Sequence, residues 1–123
     1  MLTAANIVAF VSTSDADRSR SFYEGVLGLR LIRSTPLALI FDARGTMLRV
    51  TIVEDLEPAA FTVLGWQVAD IHHTVVQLGG RGVAFERFAD IEQDESGIWE
   101  APDGGLVACF RDPDGNLLSI TEG

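Results

Sequence analysis

No lysine occurs in the 123 residues; all nine basic side chains are arginine. Covalent chemistry through a lysine Schiff base is therefore excluded. Cys109 is the only cysteine, so no intrachain disulfide and no multi-cysteine zinc site can form, which suits a reducing compartment. Histidine is nearly as scarce. His72 and His73 are adjacent, and neighbouring positions on a helix point roughly 100° apart. They cannot grip one metal as an i, i+4 pair would. No apolar run approaches the roughly 20 residues that span a bilayer. No basic residue precedes the first apolar stretch, so no secretory leader is expected and the expected compartment is the cytoplasm. Basic charge is half the acidic charge, 9 against 18, for a net charge of −9. An acidic field repels phosphate backbones and argues against nucleic acid as a partner; its plain role is solubility.

What is present is an ordinary hydrophobic fraction, 47%, in a chain long enough for one compact domain and too short for two of usual size. The most informative feature is an internal repeat. Asp42-Ala43-Arg44-Gly45-Thr46-Met47-Leu48-Arg49-Val50-Thr51 matches Asp112-Pro113-Asp114-Gly115-Asn116-Leu117-Leu118-Ser119-Ile120-Thr121 at one constant offset. Aspartate, glycine, leucine and threonine coincide, and each segment follows an apolar run. The shared Asp-x-x-Gly suits a type I turn followed by a left-handed glycine, closing a hairpin. Upstream, Ile7 to Val11 leads to Asp15 as Val63 to Val68 leads to Asp70, and both aspartates are placed to cap helices.

Each copy thus reads strand, helix, strand, strand, strand. The spacing predicts strands over about 6–12, 29–34, 37–42 and 47–53, then 62–68, 82–86, 106–111 and 117–121. The first helix should run from Asp15 to about Val26, with Phe22, Val26 and Leu29 inward, ending at Gly28; the second from Asp70 to about Leu78, with Ile71, Val75 and Leu78 inward. Module 1 covers about 5–54, a linker about 55–60, and module 2 about 61–123. The acidic stretch from Arg87 to Gly105 is an excursion, with room for a short strand at Ile98 to Glu100.

The segment Asp15-Ala16-Asp17-Arg18-Ser19-Arg20-Ser21-Phe22-Tyr23-Glu24-Gly25-Val26-Leu27-Gly28-Leu29 resembles the first helix of vicinal oxygen chelate proteins, the superfamily of glyoxalases, bleomycin-resistance proteins and extradiol dioxygenases. Phe110-Arg111-Asp112-Pro113-Asp114-Gly115-Asn116-Leu117-Leu118 resembles its closing hairpin. The resemblance implies an α+β fold: two tandem βαβββ modules curled into an open mixed-sheet barrel, helices outside, one domain over 1–123. It implies a homodimer. In the superfamily's enzymes one divalent metal is held by His, Gln or Glu from the first and last strands of each module. The matching positions here are Val8, Arg49, Val63 and Ser119, and their immediate neighbours are apolar. Valine binds nothing and arginine repels a dication, so neither a metal nor another cofactor is expected.

Strand alternation then sorts the side chains. Leu48, Val50 and Ile52 form a uniformly apolar face suited to the helices. Met47, Arg49 and Thr51 form a mixed face suited to a cavity, with Asn6, Val8, Phe10 and Ser12 from the first strand. The second copy contributes Val63, Gly65, Gln67, Leu117, Ser119 and Thr121 in the same way. A three-residue hairpin loop with a glycine bulge would pair Leu39 with Arg49 and Cys109 with Ser119, placing Cys109 on the cavity side. Trp99, in the excursion, could cover the cavity, join a dimer interface or pack in the core.

Such a cavity, apolar with a few polar groups, suits a small organic molecule. Arg49 favours an anionic group through its forked guanidinium, unless Glu54 or Asp42 pairs with it; the acidic net charge favours a cation instead. No histidine or carboxylate is expected at a central inward position, so a general base is missing. The sequence therefore points first to a metal-free small-molecule binding protein, with a glyoxalase-like lyase or isomerase as the alternative and a non-catalytic accessory domain as a second alternative.

Overall fold

Asp15 and Asp70 convert strand into helix in the same way. Each is extended (φ −145° and −140°) and accepts a backbone amide proton three residues on, from Arg18 at 3.1 Å and His73 at 3.2 Å. These bonds satisfy donors that a helix start leaves open. In the computed structural model, which describes residues 1–123, two compact units follow from this repeated plan, Met1–Glu57 and Pro58–Gly123, divided within the expected linker.

The first unit contains β1 (Val8–Thr13), α1 (Ala16–Arg20), β2 (Arg30–Ser34), β3 (Ala38–Ala43) and β4 (Thr46–Ile52). Its sheet has the order β1-β4-β3-β2, with β1 parallel to β4 and the other pairs antiparallel. Beyond α1 the helix widens into a π turn over Ser21–Val26. The Leu27 amide bonds the Phe22 carbonyl, and the Leu29 amide reaches back to Tyr23 past Gly28 at φ +76°. Gly28 is thus the expected left-handed terminator. The inward residues differ from those expected. Ser19 and Tyr23 are fully buried, whereas Phe22 and Val26 are only partly so. The wider turn shifts the helical phase, and Tyr23 lies between Phe22 at 5.2 Å and Phe41 at 5.9 Å.

Beneath α1 lie Val11, Leu39, Phe41, Leu48 and Val50, all buried. Each such side chain contributes roughly 1.5–3 kcal/mol by leaving water, so this face holds the unit's core.

The second unit repeats the plan with β5 (Thr62–Gln67), α2 (Ile71–Gly80), β6 (Trp99–Glu100), β7 (Leu106–Arg111) and β8 (Leu117–Glu122), in the order β5-β8-β7-β6. Ile71 and Val75 are buried on the inner side of α2, and Leu118, Ile120, Ala108 and Phe110 fill the sheet face of matching parity. The expected strand at 82–86 does not form as one piece. Phe85 makes a single bridge to Phe110, and the Glu86 amide donates to Cys109 O at 2.7 Å. The same edge of β7 is then completed by β6, where Trp99 opposes Val107. The excursion is therefore an insertion inside one edge strand. It is clipped shut by Gln93, whose Nε2 donates to Glu86 O and Gly97 O and whose Oε1 accepts from the Phe88 amide.

One long-range bond ties the end of the sheet to α2. Glu122 Oε1 accepts from the Ile71 amide at 2.9 Å, a negative charge at the positive end of the helix dipole. Glu122→Ala should cost about 1 kcal/mol, read as a lower urea midpoint at unchanged slope, while Glu122→Gln, which keeps an acceptor, should lose less.

Candidate functional site

The two hairpins of the repeat close differently. In the second, the Asp112 amide donates to Asn116 O, Gly115 has φ +87°, and Cys109 faces Ser119, as a three-residue loop requires. Asp112 Oδ1 accepts the amides of Asp114 and Asn116 at 3.0 and 2.9 Å, and Oδ2 accepts Asn116 Nδ2 at 2.9 Å, which holds that loop rigid. In the first, only Arg44 (φ +52°) and Gly45 (φ +89°) lie between the paired residues Ala43 and Thr46. Two consecutive left-handed residues are the signature of a type I′ turn.

That shorter turn corrects the expected register. Leu39 faces Val50, and Arg49 faces Ile40 on one side and Phe10 on the other. Leu39 is buried in the core under α1. Asp42, opposite Met47, moves onto the face away from the helix. That open face carries Val8, Phe10 and Ser12 from β1, Met47, Arg49 and Thr51 from β4, Ala38, Ile40 and Asp42 from β3, and Arg30 and Arg33 from β2. Much of it is apolar and solvent-accessible; Phe10 is 60% exposed and Val8 and Met47 are also exposed.

At one end of this face lies a cavity of about 360 Å³. Asn6, Ile7, Val8, Ile32, Ile40, Phe41, Asp42, Gly45 and Met47 line it. Ile32 reaches it because β2 is bulged there: Leu31 faces Phe41 and Arg33 faces Ile40, with Ile32 extra between them. Asp42 is the one ionisable lining residue. Its Oδ1 accepts the Gly45 amide at 3.0 Å and its Oδ2 lies 3.6 Å from Arg30, an exposed and correspondingly weak partner. Arg49 makes no hydrogen bond or ion pair; neither Glu54 nor Asp42 engages it. It stands one row beyond the cavity, beside the lining residues Ile40 and Met47.

The second unit's corresponding face carries Gly65 and Gln67 from β5, Leu117, Ser119 and Thr121 from β8, and Val107 and Cys109 from β7. Val63 sits at a bulge in β5, between Thr62 opposite Leu117 and Leu64 opposite Leu118. Trp99 pairs with Val107, and its Nε1 is buried without a hydrogen-bond partner. Cys109 is buried, and burial pushes its thiol pKa up; a side-chain hydrogen bond from Thr62 opposes that shift. The thiol is thus protonated and sluggish at neutral pH.

Of the residues singled out from sequence, the first unit's cavity gathers Asn6, Val8 and Met47. Phe10, Arg49 and Thr51 share its sheet face outside the cavity lining, and Gln67, Val63, Leu117, Ser119, Cys109 and Trp99 belong to the second unit. Asp42 was missed as a face residue. No sequence signal marks it: the shorter turn needs Arg44 in the left-handed region, and arginine is not among the residues that favour that conformation.

Two mixed four-stranded sheets, each with one helix laid across a face, define the α+β fold class of paired βαβββ units. The sequence profile described as Glyoxalase/Bleomycin resistance protein/Dioxygenase superfamily matches residues 5–120, and the chain belongs to that superfamily. No curated protein matches the sequence. Among solved structures, a superfamily member from Sphaerobacter thermophilus is 22% identical with a TM-score of 0.77 over 100% of both chains. A lactoylglutathione lyase from Agrobacterium tumefaciens is 18% identical, TM-score 0.74, over 98% of this chain and 94% of that one. A fosfomycin resistance protein from Listeria monocytogenes is 14% identical, TM-score 0.76, over 98% and 93%. At these identities the likeness speaks for the fold alone.

The residues present do not fit the metal of the superfamily's enzymes. Val8, Arg49, Val63 and Ser119, the positions that the sequence resemblance matches to the ligands, are not metal donors of that kind, and nowhere do three or more His, Cys, Asp or Glu side chains gather as a metal site. Arg49 puts a fixed positive charge where a dication would need a donor.

Gly65 and Ser119 are fitted to each other across β5 and β8. A methyl group on Gly65 would sit 2.8 Å from Ser119 Oγ and 3.2 Å from Ser119 O. Since the carbonyl cannot rotate away, Gly65→Ala should destabilise by roughly 1–3 kcal/mol, the usual cost of overpacking. Thermal unfolding of Gly65→Ala, alone and combined with Ser119→Gly, checks this; the second change should recover only the part due to Oγ.

Proposed function

We propose that this chain is a metal-free binding protein that holds a small organic molecule against the open sheet face of its first unit. The observation that carries this reading is Arg49: a guanidinium without an acid partner, on a face otherwise built mainly of Val8, Phe10, Ile40 and Met47, next to a cavity of about 360 Å³. A cavity of this size, largely apolar with a few polar groups, suits a small ligand. An unpartnered guanidinium among apolar side chains offers a carboxylate, enolate or phosphate a charge-assisted, bidentate contact. A lyase or isomerase is the second reading. Asp42 supplies the carboxylate that it needs, but the Gly45 amide and Arg30 already occupy it, which favours binding over base catalysis.

The proposed setting is the cytoplasm, in keeping with the lone cysteine; no helix is long and apolar enough to cross a membrane. The proposed assembly is a two-fold homodimer, supported by the unpaired outer edges that two open four-stranded sheets leave to be covered.

Two measurements test this. Native mass spectrometry of the purified protein should reveal a co-purifying small molecule with an anionic group. Arg49→Met, which keeps much of the stem, should weaken its binding by roughly 1.5–3 kcal/mol and leave the thermal midpoint near that of the parent; unchanged affinity would remove Arg49 from the site. Sedimentation at micromolar concentration should show a dimer, and a monomer there would count against the assembly.

A further inference from the structure

Three arginines share the open face of the first sheet with a single acid. Arg30 opposes Asp42 across β2 and β3 and pairs with it, and the Gly45 amide holds the same carboxylate, so Asp42 is fully engaged. Arg33 and Arg49 remain. Both face Ile40, Arg33 from β2 and Arg49 from β4, so the two guanidiniums rise from one row on either side of a buried isoleucine. Their backbones are two strand spacings apart, roughly 10 Å, a gap that two long stems leaning together can close. Neither makes a hydrogen bond or an ion pair. Like charges facing one another repel, and the side chain between these two is hydrocarbon rather than an acid. The net charge of −9 does little to offset them. The first unit holds six of the nine arginines and seven of the eighteen acids, so nearly all of the excess negative charge belongs to the second unit.

The cavity adjoins this row. Ile40, between the two arginines, also lines the cavity, and so does Ile32, the chain neighbour of Arg33. An apolar group seated among Ile32, Ile40, Val8 and Met47 therefore brings whatever it carries within reach of both forks. At the Asp42 end of the lining the carboxylate and Arg30 cancel each other, so an anion gains only at the Arg33–Arg49 row. One guanidinium matches one carboxylate. Two of them, on either side of one residue, match two negative charges. Resting on the small-molecule reading above, we infer that the ligand is a dianion with an apolar body, a phosphate monoester or a dicarboxylate that bridges Arg33 and Arg49 with its body in the cavity. A single negative charge leaves one of two mutually repelling guanidiniums uncompensated; a double charge relieves both. Arg33 is then the residue that selects two charges over one.

Three probes share a phenyl body: 3-phenylpropanoate with one negative charge, benzylsuccinate with two on separate carboxylates, and phenyl phosphate with two on one group. They are titrated calorimetrically into the whole chain at pH about 8, well above the second phosphate ionisation at about 6. At least one dianion should bind tenfold or more tightly than the propanoate, and which one does so identifies the anionic group. Arg33→Met removes an exposed fork and keeps the stem; it should bring that dianion within twofold of the propanoate and leave the propanoate near its parent affinity. Arg20→Met removes an equal charge from α1, across the sheet, and should change neither. If neither dianion reaches the tenfold margin, or if Arg20→Met acts as strongly as Arg33→Met, the bridge falls while an anion site at Arg49 stands. If no probe binds, a co-purified ligand decides: a dianion weakened tenfold by Arg33→Met upholds the bridge, and a ligand of any other charge, or one indifferent to that change, sinks it. If nothing binds and nothing co-purifies, both readings fall.

Discussion

The turn at Arg44 and Gly45 governs which side chains meet on the first sheet. Both residues occupy the left-handed region, at φ +52° and +89°, and so close β3 onto β4 with two residues between the paired ends. Side chains alternate along a strand, so one residue more or less in register exchanges the two faces. With this turn, Leu39 and Phe41 go under the helix and contribute to a buried core, while Ile40 and Asp42 go to the open side with Arg49. The cavity floor, the carboxylate in its lining and the separation of that carboxylate from the guanidinium all descend from this geometry. Arginine in the left-handed region carries a strain that glycine does not, which marks the position as one the fold imposes.

Much of this architecture was legible in the chain. The constant offset between the two Asp-x-x-Gly segments gives the repeat, Asp15 and Asp70 give the helix starts, and Gly28 gives a helix end. The strand parity of β4 and β8 follows from the unbroken apolar series Leu48, Val50, Ile52 and Leu118, Ile120, because only such a series can face a helix throughout. Less legible was whatever depends on loop length. The same Asp-x-x-Gly closes a two-residue turn in one copy and a three-residue loop in the other, and the difference rests on backbone dihedrals at Arg44 and on the bonds that Asp112 makes to Asn116. The π turn at Ser21–Val26 was also invisible, since apolar spacing alone does not distinguish four residues per step from five; it put Tyr23 rather than Phe22 at the centre of the first core.

Membership of the superfamily fixes the scaffold and leaves the chemistry to the side chains on it. Here Val8, Arg49, Val63 and Ser119, the positions that the resemblance matches to the metal ligands, carry none of the superfamily's metal-binding side chains. Arg49 is the most telling departure: a permanent cation, half-buried and without an acid partner, on a largely apolar strand face.

The insertion within the outer strand of the second sheet has a consequence for how that region moves. Residues 86–98 leave and rejoin the same edge of β7, and two side chains close them: Gln93, bonded to Glu86, Phe88 and Gly97, and Asp94, whose Oδ1 accepts from the Ser96 and Ile98 amides. Because each of these groups joins several backbone points, the bonds cannot be lost one by one without disorganising the rest. The segment should therefore open as a unit, exchanging its protected amide hydrogens together and independently of the strands beneath it, a small foldon grafted onto a sheet edge.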